Sequence, residues 1–229
     1  MSGKIEAEGV TVSAQGKDII KEVTTSIPEK EIFTIVGPSG AGKSTFLRTI
    51  NRLIDFREGD IRLDGRSIRE YEPVELRKRV GMVFQIPLAF QGTVEDNLLM
   101  GPRLTGSAEP DLDELLDMVG LARGFVKRKA SELSVGEQQR MCIARAIANG
   151  PEVILMDEPT ASLDPESARK VEELIMRLSQ EVDLTLVVVT HNMEQGMRIG
   201  DWTMLMKEGR AVTTMKTDEF FEMYPGVLS

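Results

Sequence analysis

The sequence predicts an α/β fold whose core is a mixed, largely parallel sheet covered by helices on both faces. Two segments, Val153–Met156 and Leu184–Val189, are apolar at almost every position, as in strands buried on both sides. A helical segment, Pro165–Gln180, separates them, and this strand–helix–strand order is typical of parallel sheets. A third apolar strand, Phe33–Val36, runs into a glycine-rich loop and a helix. An antiparallel β part and an inserted helical part complete the predicted fold.

The first part of the chain predicts antiparallel β-structure. Apolar residues such as Val10, Val12 and Ile27 stand in short stretches that polar residues and Gly16 interrupt. We expect these short strands to form an antiparallel edge that leads into the core strand Phe33–Val36.

A helix and two further strands are expected after the glycine-rich loop. Apolar residues recur there at helical spacing: Phe46, Leu47, Ile50, Leu53 and Ile54. Ile61–Leu63, followed by the turn Asp64-Gly65, and Val80–Phe84 have the composition of strands. A helix can begin between them at Pro73, because proline is favoured in the first turn of a helix.

Residues 86–150 predict a helical region inserted into this core. Apolar residues at positions i, i+3, i+4 and i+7 mark one of its helices: Leu112, Leu115, Leu116 and Val119. Asp111 is placed to cap this helix and Gly120 to end it. We expect a single domain over residues 1–229, in which residues 1–85 and 151–229 form the core and a hairpin at Glu208-Gly209 closes it.

Composition excludes several classes of function. The chain has 229 residues with one cysteine and one histidine, so it can form neither an internal disulfide nor a zinc site of four Cys/His ligands. Its apolar stretches are far shorter than the roughly 20 residues of a membrane span. The net charge of −9 disfavours a nucleic-acid partner, and the basic run Lys127–Lys129 is typical of a solvated surface. The first residues have no apolar secretion signal, so we expect a cytoplasmic protein.

Gly37–Ser44 has the spacing G-x-x-x-x-G-K-S, and it stands between an apolar strand and a helix. In such a loop, backbone N–H groups surround phosphates, the lysine reaches the terminal phosphates and the serine binds Mg²⁺. The sequence therefore predicts a nucleoside triphosphate site. The residues expected to contact the nucleotide are Gly37, Pro38, Ser39, Gly40, Ala41, Gly42, Lys43, Ser44 and Thr45.

Polar residues follow three other predicted strands. Asp157 and Glu158 come directly after a buried strand, where one carboxylate can hold Mg²⁺ and the next can activate water. Gln85 follows the strand that begins at Val80, and His191, the only histidine, follows the last apolar strand. Parallel strands end at one edge of a sheet, so these side chains are expected near the phosphate loop. The predicted catalytic residues are Glu158, His191, Lys43 and Gln85, and the predicted metal ligands are Ser44, Gln85 and Asp157.

Leu133–Arg140 reads Leu-Ser-Val-Gly-Glu-Gln-Gln-Arg, which resembles the Leu-Ser-Gly-Gly-Gln signature of the ABC ATPases. The resemblance covers almost the whole chain in order: phosphate loop, Gln85, signature, Asp157-Glu158, the loop Ala161–Asp164 and His191. It implies a P-loop ABC ATPase fold with ATP and Mg²⁺ as cofactors. A small GTPase would need an Asn-Lys-x-Asp motif, which the sequence lacks, and an ATP-dependent kinase would have no signature motif.

The resemblance also implies protein partners. In the ABC family the signature completes the nucleotide site of a second subunit, so two copies of the chain would enclose two ATP molecules. Ser134, Gly136, Glu137 and Asp164 would then contact the partner's nucleotide. The family further implies transmembrane permease subunits docked at the segment after Gln85, with a solute-binding protein as an indirect partner. The chain would then lie peripherally on the inner face of the cell membrane.

Two features depart from the family pattern. Val135 replaces a glycine and Glu137 replaces a glutamine. A β-branched residue is strained at positive φ, so we expect helical or extended backbone at Val135. The family stacks adenine on an aromatic side chain, but Ala14 stands in that place and the first aromatic residue is Phe33. Stacking is worth about 1 kcal/mol, so we expect weaker and less adenine-selective binding.

Several segments are similar to the ATPase subunits of phosphate importers, among them Ser44–Arg52, Val74–Gln85, Gly101–Leu104 and Cys142–Ala146. The segment Ile86–Val94 instead resembles the ATPases of metal exporters and aluminium-tolerance transporters. We expect transport powered by ATP-driven dimer closure, with phosphate import as the first candidate and a metal ion or another solute as the alternative. A soluble ABC ATPase of DNA repair, translation or iron–sulfur assembly is a further alternative, although most of those carry coiled-coil insertions or paired cassettes.

Overall fold

A computed structural model describes residues 3–224. Its strands are β1 (Ile5–Ala14), β2 (Lys17–Ile27), β3 (Ile32–Val36), β4 (Glu58–Leu63), β5 (Arg66–Ser67), β6 (Val80–Val83), β7 (Val153–Asp157), β8 (Thr185–Val189), β9 (Trp202–Lys207) and β10 (Arg210–Lys216). Its helices are α1 (Lys43–Ile50), α2 (Pro73–Arg79), α3 (Val94–Thr105), α4 (Leu112–Met118), α5 (Val135–Ile147), α6 (Pro165–Glu181), α7 (Met193–Ile199) and α8 (Thr217–Met223). Among residues 3–224, no helix has the length and apolar character to cross a membrane.

The central sheet has six strands in the order β10-β9-β3-β8-β7-β6. Strands β6, β7, β8, β3 and β9 are parallel, and only β10 runs antiparallel to its neighbour. A second, antiparallel sheet has the order β2-β1-β4-β5. The predicted mixed core with an antiparallel part is therefore confirmed.

The expected short antiparallel edge is wrong in detail. β1 and β2 are long strands of 10 and 11 residues, and they belong to the separate sheet. The cause is the second pairing edge of β1, since Ile5 lies opposite Ile27 of β2 on one side and opposite Leu63 of β4 on the other. With both edges of β1 occupied inside its own sheet, this sheet packs on the central one instead of extending it.

Two hydrophobic clusters lie on opposite faces of the central sheet. Leu155 and Val187 face α1 and the antiparallel sheet, whereas their neighbours Ile154 and Val188 face the helices α3 to α6. All four side chains are fully buried. This arrangement explains why β7 and β8 are apolar throughout, because both faces of each strand are covered.

The helix ends follow the predicted signals. Asp111 caps α4 by accepting hydrogen bonds from the backbone N–H groups of residues 113 and 114, and Pro73 is the first residue of α2. Sequence analysis did not predict the short helix α7, which Asn192 caps. The last helix, α8, was also not predicted, and it buries Phe220 and Phe221, while residues 225–229 lie outside the described residues.

An ion-pair network joins the antiparallel sheet to the central sheet. Lys4 is almost fully buried, and its ammonium group contacts Asp64 and Glu152 at 2.9 and 2.6 Å. Arg79 donates to both oxygens of Glu152, at 2.6 and 2.7 Å. These hydrogen bonds, led by those from Arg79, lower the pKa of Glu152 from 4.5 to about 2. The network therefore holds the start of β7 against the hairpin of β4 and β5.

This network makes the stability depend on pH. A folded-state pKa below the unfolded value means that Glu152 stabilises the fold above about pH 4.5 and loses this effect as the pH falls towards 2. We expect Glu152→Gln to lower the free energy of unfolding at pH 7 by about 1–2 kcal/mol. This is less than the pKa shift alone implies, because the Glu152 side chain is 39% exposed and solvent screens its ion pairs. Urea unfolding at pH 7 and at pH 3 measures this. The difference between the two proteins should shrink at the lower pH, and Glu181→Gln, on the exposed surface of α6, should show neither effect.

Candidate functional site

The phosphate loop connects β3 to α1, and its backbone requires glycine at two positions. Gly37 has φ 144°, and a Cβ atom there would lie 2.1 Å from the carbonyl oxygen of Met206. Gly42 has φ 96°, and a Cβ atom there would lie 2.7 Å from Cδ1 of Ile20. Gly42 begins α1 without a side-chain cap. The N–H groups of the first turn of α1 are therefore available to an anion.

Lys43 is buried in this loop, with only 5% of its surface exposed. Its Nζ donates to the carbonyl oxygens of Gly37 at 2.7 Å and of Pro38 at 3.0 Å. Burial lowers the pKa of Lys43, and the nearby carboxylates of Glu158 and Asp157 oppose that effect. Its partners are neutral carbonyl groups, and no carboxylate of residues 3–224 is bonded to it, so the ammonium group can turn to a phosphate without breaking an ion pair.

Asp157, at the end of β7, contacts two residues of α1. Its Oδ1 accepts a hydrogen bond of 2.6 Å from Ser44 Oγ, and its Oδ2 accepts one of 2.9 Å from Arg48 Nη2. A serine hydroxyl beside a carboxylate supplies the oxygen ligands that Mg²⁺ prefers. The donor set therefore fits Mg²⁺, and Ser44 and Asp157 are the predicted ligands that meet directly.

Glu158 lies between His191 and Gln85. Its Oε2 is 2.9 Å from His191 Nδ1 and 3.4 Å from Gln85 Nε2. The side chain of Glu158 is 18% exposed, whereas that of His191 is 59% exposed. The backbone of Glu158 is left-handed, with φ 47°, which is strained for a residue with a side chain. The edge of the sheet thus holds a carboxylate beside an imidazole. Such a pair can orient a water molecule and accept a proton from it.

A cavity of about 390 Å³ lies over the phosphate loop. It is lined by Ile19, Ser39, Gly40, Ala41, Gly42, Lys43, Ser44, Thr45, Gln85 and Glu158. Residues 39–45 of the phosphate loop therefore share one cavity with Gln85 and Glu158, whereas Gly37, Pro38, Asp157 and His191 do not line it. Ala14 is exposed near the end of β1 and does not line the cavity.

The signature residues do not line this cavity. Ser134 caps α5, since its Oγ accepts a hydrogen bond from the N–H of Glu137 while the Glu137 carboxylate accepts one from the N–H of Ser134. Burial raises the pKa of Glu137, but the hydrogen bonds with Ser134 outweigh this and lower it overall. Val135 is the first residue of α5, so the predicted helical backbone is confirmed. Gly136 packs against the start of α6, which Asp164 caps.

Comparison with known protein families assigns the chain. The family model described as ABC transporter matches residues 20–161. The chain belongs to the ABC transporter family. It is an ATP-binding and ATP-hydrolysing subunit of that family, and its nucleotide is bound together with Mg²⁺.

Relatives of known name cover most of the chain. It is 42% identical over 219 residues to "ABC transporter I family member 17" of Arabidopsis thaliana. This match covers 94% of this chain and 83% of that relative. It is 41% identical over 223 residues to "Protein STAR1" of Oryza sativa subsp. japonica, over 96% of this chain. The match spans 64% of STAR1, which is less than two thirds of its length. Neither name refers to phosphate, so the similarity to phosphate importers gains no specific support.

Solved structures of ABC ATPases share the fold. CbiO1 from Clostridium perfringens, described as part of the ABC transporter complex cbiONQ, superposes with a TM-score of 0.87 at 26% identity and covers 97% of this chain and 92% of its own. The ATP-binding cassette MJ0796, described as a dimer bound to ADP and Pi, has a TM-score of 0.80 at 31% identity, over 93% and 98% of the two chains. The predicted ABC ATPase fold is confirmed.

Two residues of this ABC ATPase site were missed by sequence analysis. Arg48 stands four residues after Ser44, so both lie on one face of α1, and this spacing was a usable signal for its contact with Asp157. Gln195 is buried in α7, and no motif in the sequence marks it. Cys142 is buried in α5, and burial raises the pKa of its thiol.

Nucleotide affinity should respond to an aromatic side chain in β1. We expect Ala14→Tyr to tighten ATP binding about fivefold and to widen the preference for ATP over GTP, because ring stacking adds about 1 kcal/mol. Titration with fluorescent ATP and GTP analogues measures both. Ser13→Tyr is the matched control, since successive side chains of a strand point to opposite faces. Equal affinities in wild type and Ala14→Tyr would mean that adenine is held elsewhere.

Proposed function

We propose that the chain powers a membrane transporter by ATP-driven closure of a dimer. The observation that carries this proposal is the separation of the two parts of the site. The phosphate loop and Glu158 line one cavity, whereas Ser134 and Gly136 lie at the start of α5 outside it. A second copy of the chain would supply its Ser134, Gly136, Glu137 and Asp164 to the nucleotide. The dimeric description of MJ0796 supports this arrangement.

Hydrolysis in this proposal begins with a water molecule held by Glu158. The Glu158 carboxylate accepts the proton of the attacking water, and His191, 2.9 Å away, orients the carboxylate and meets charge on the transferred phosphoryl group. Lys43 and the N–H groups at the start of α1 stabilise the charge on the phosphates. Mg²⁺, held by Ser44, Asp157 and Gln85, would neutralise further phosphate charge.

A division of the chain into two moving parts follows from the same arrangement. Residues 1–85 and 151–229 would form the core that binds ATP, and residues 86–150 the helical subdomain that carries the signature. In this proposal closure brings the subdomain of one copy onto the nucleotide of the other.

An exposed apolar segment after β6 supports permease subunits as partners. Ile86, Leu88 and Phe90 are 73%, 58% and 37% exposed. Apolar side chains placed together on a surface are typical of binding sites for other proteins. Leu88 is held in place through its carbonyl oxygen, which accepts a hydrogen bond of 2.8 Å from Arg145. Docking there would place the chain on the inner face of the cell membrane, with a solute-binding protein reached only through the permease.

The transported solute does not touch this chain in the proposed arrangement. The proposal of phosphate import rests on the segments that are similar to phosphate-import ATPases. The alternative, a metal ion or another solute, rests on the segment Ile86–Val94. Phosphate therefore stays a prediction. Uptake of radioactive phosphate into vesicles that contain the chain and its permease would test it, with uptake of divalent metal ions as the alternative outcome.

The dimer can be tested without the solute. We expect Glu158→Gln to lose at least about 100-fold in ATP turnover while retaining ATP binding, because the amide cannot accept the proton of water. Trapped ATP should then hold two chains together, and light scattering with and without Mg-ATP measures the change from about 25 to about 51 kDa. The double variant Lys43→Ala/Glu158→Gln should remain a monomer. Full turnover in Glu158→Gln would contradict the assigned base, and a monomer that binds ATP would contradict closure by two copies alone.

The docking segment gives a second test. We expect Leu88→Glu to abolish co-purification with the permease, because a carboxylate would have to be buried at the contact. Val212→Glu is the control, since Val212 is 52% exposed on β10, a strand outside this segment. Pull-down from detergent-solubilised membranes measures both variants. Undiminished binding of Leu88→Glu would favour a different docking surface, whereas failure of the wild-type chain itself to bind the permease would favour a soluble ABC ATPase.

A further inference from the structure

A buried side-chain amide joins the two loops that carry the catalytic pair. Gln195, in α7, is 2% exposed. Its Nε2 donates to Thr160 Oγ1 at 2.7 Å, and its Oε1 accepts a hydrogen bond of 2.7 Å from Thr190 Oγ1. Thr160 lies two residues after Glu158, and Thr190 lies directly before His191. One amide therefore bonds both the loop after β7 and the loop after β8.

The orientation of this amide is fixed by charge. Its Nε2 also donates to Oε1 of Glu172, at 3.1 Å. A carboxylate only accepts hydrogen bonds, so the NH₂ group must face Glu172 and the amide oxygen must face Thr190. Glu172 is itself 7% exposed and paired with Arg198 at 3.0 Å. Every side-chain nitrogen and oxygen of Gln195 and Glu172 therefore has a hydrogen-bond partner, which makes this part of the network rigid.

The loop after β7 needs such support because its first residue is strained. Glu158 has φ 47°, and left-handed backbone persists at a residue with a side chain only where the surroundings enforce it. Two backbone hydrogen bonds act on Glu158 itself, one to Val189 and one from Ala161. The bond from Gln195 to Thr160 adds a third restraint, and this one also reaches the loop of His191.

We propose that Gln195 is a positioning residue that sets the distance between Glu158 and His191. This inference rests on the proposed catalytic pair and adds a residue that touches neither ATP nor its phosphates, since Gln195 does not line the cavity over the phosphate loop. Through Thr160 and Thr190 the amide holds the carboxylate and the imidazole at the 2.9 Å observed. Its loss leaves nucleotide binding intact and displaces the pair that acts on water.

Three variants and one control test this. Gln195→Ala removes all three hydrogen bonds, and Gln195→Glu keeps the shape but places a second carboxylate against Glu172. Thr160→Val removes one bond with the smallest change in volume, so it tests the link even where the other variants fold poorly. Thr203→Val is the matched control, because Thr203 is equally buried and is hydrogen-bonded to Thr34 of β3 and Thr217 of α8, and to neither catalytic loop.

We expect kcat of Gln195→Ala and Gln195→Glu to fall about tenfold or more, with KM for ATP within about twofold of wild type, because displacement of catalytic groups costs rate and not binding. Thr160→Val should lose about threefold in kcat, and Thr203→Val should retain the wild-type value. His191 is the only histidine, so its Hε1 proton gives one NMR resonance. That resonance should shift in the Gln195 and Thr160 variants and not in the control.

The outcomes separate this inference from the proposed function. Wild-type kcat and an unchanged His191 resonance in Gln195→Ala or Thr160→Val would overturn the positioning role. Parallel loss of kcat in Thr203→Val would overturn it as well, because the effect would then follow from any buried hydrogen bond. Full turnover in Glu158→Gln would instead remove the catalytic pair on which both proposals depend.

Discussion

The buried carboxylate of Asp157 is the group on which the catalytic edge depends. An unpaired charge at a site only 2% exposed would cost several kcal/mol, so both of its oxygens need partners. Both partners, Ser44 and Arg48, come from α1. Their hydrogen bonds fix α1 against β7 and therefore fix the phosphate loop opposite Glu158. Lys43, bonded to neutral carbonyl groups, keeps its positive charge available for a phosphate.

The sequence was most informative where a local pattern and a strand end coincide. The phosphate loop, Asp157, Glu158 and His191 each follow an apolar strand, and parallel strands bring such positions to one edge. An antiparallel part was expected, but the pairing that makes it a separate sheet could not be foreseen, because β1 pairs with β4 across a long separation, such as Ile5 with Leu63, and no local pattern encodes that choice. Gln195 was invisible for a related reason. Its role depends on three partners that are distant in sequence or on loops, and a lone glutamine in a polar stretch carries no periodic signal.

The departures in the signature agree with the way α5 begins. Val135 is the first helical residue, where no positive φ is needed, so the β-branched side chain fits without strain. Glu137 occupies the third position of the helix and bonds back to the N–H of Ser134, which is the usual role of glutamate in a capping box. A carboxylate is a stronger acceptor than the amide it replaces, so the cap is firm. The helix dipole attracts a phosphate to the start of α5, and the negative charge of Glu137 opposes this attraction.

The end of β6 connects three parts of the molecule. These are the exposed apolar segment from Ile86 to Phe90, the helix α5 that begins at the signature, and Glu158 at the edge of the central sheet. Phe84 and Gln85 follow β6, and the apolar segment begins at the next residue. The Phe84 carbonyl oxygen accepts a hydrogen bond from Gln139, and the Leu88 carbonyl oxygen accepts one from Arg145, so α5 is held at two points. Gln139 is fully buried, which makes that connection stiff. A permease bound at Leu88 would therefore contact the segment that holds α5, the helix that begins at the signature. Gln85, three residues before Leu88, contacts Glu158. One short segment would in this way couple the membrane partner to both halves of the ATP site.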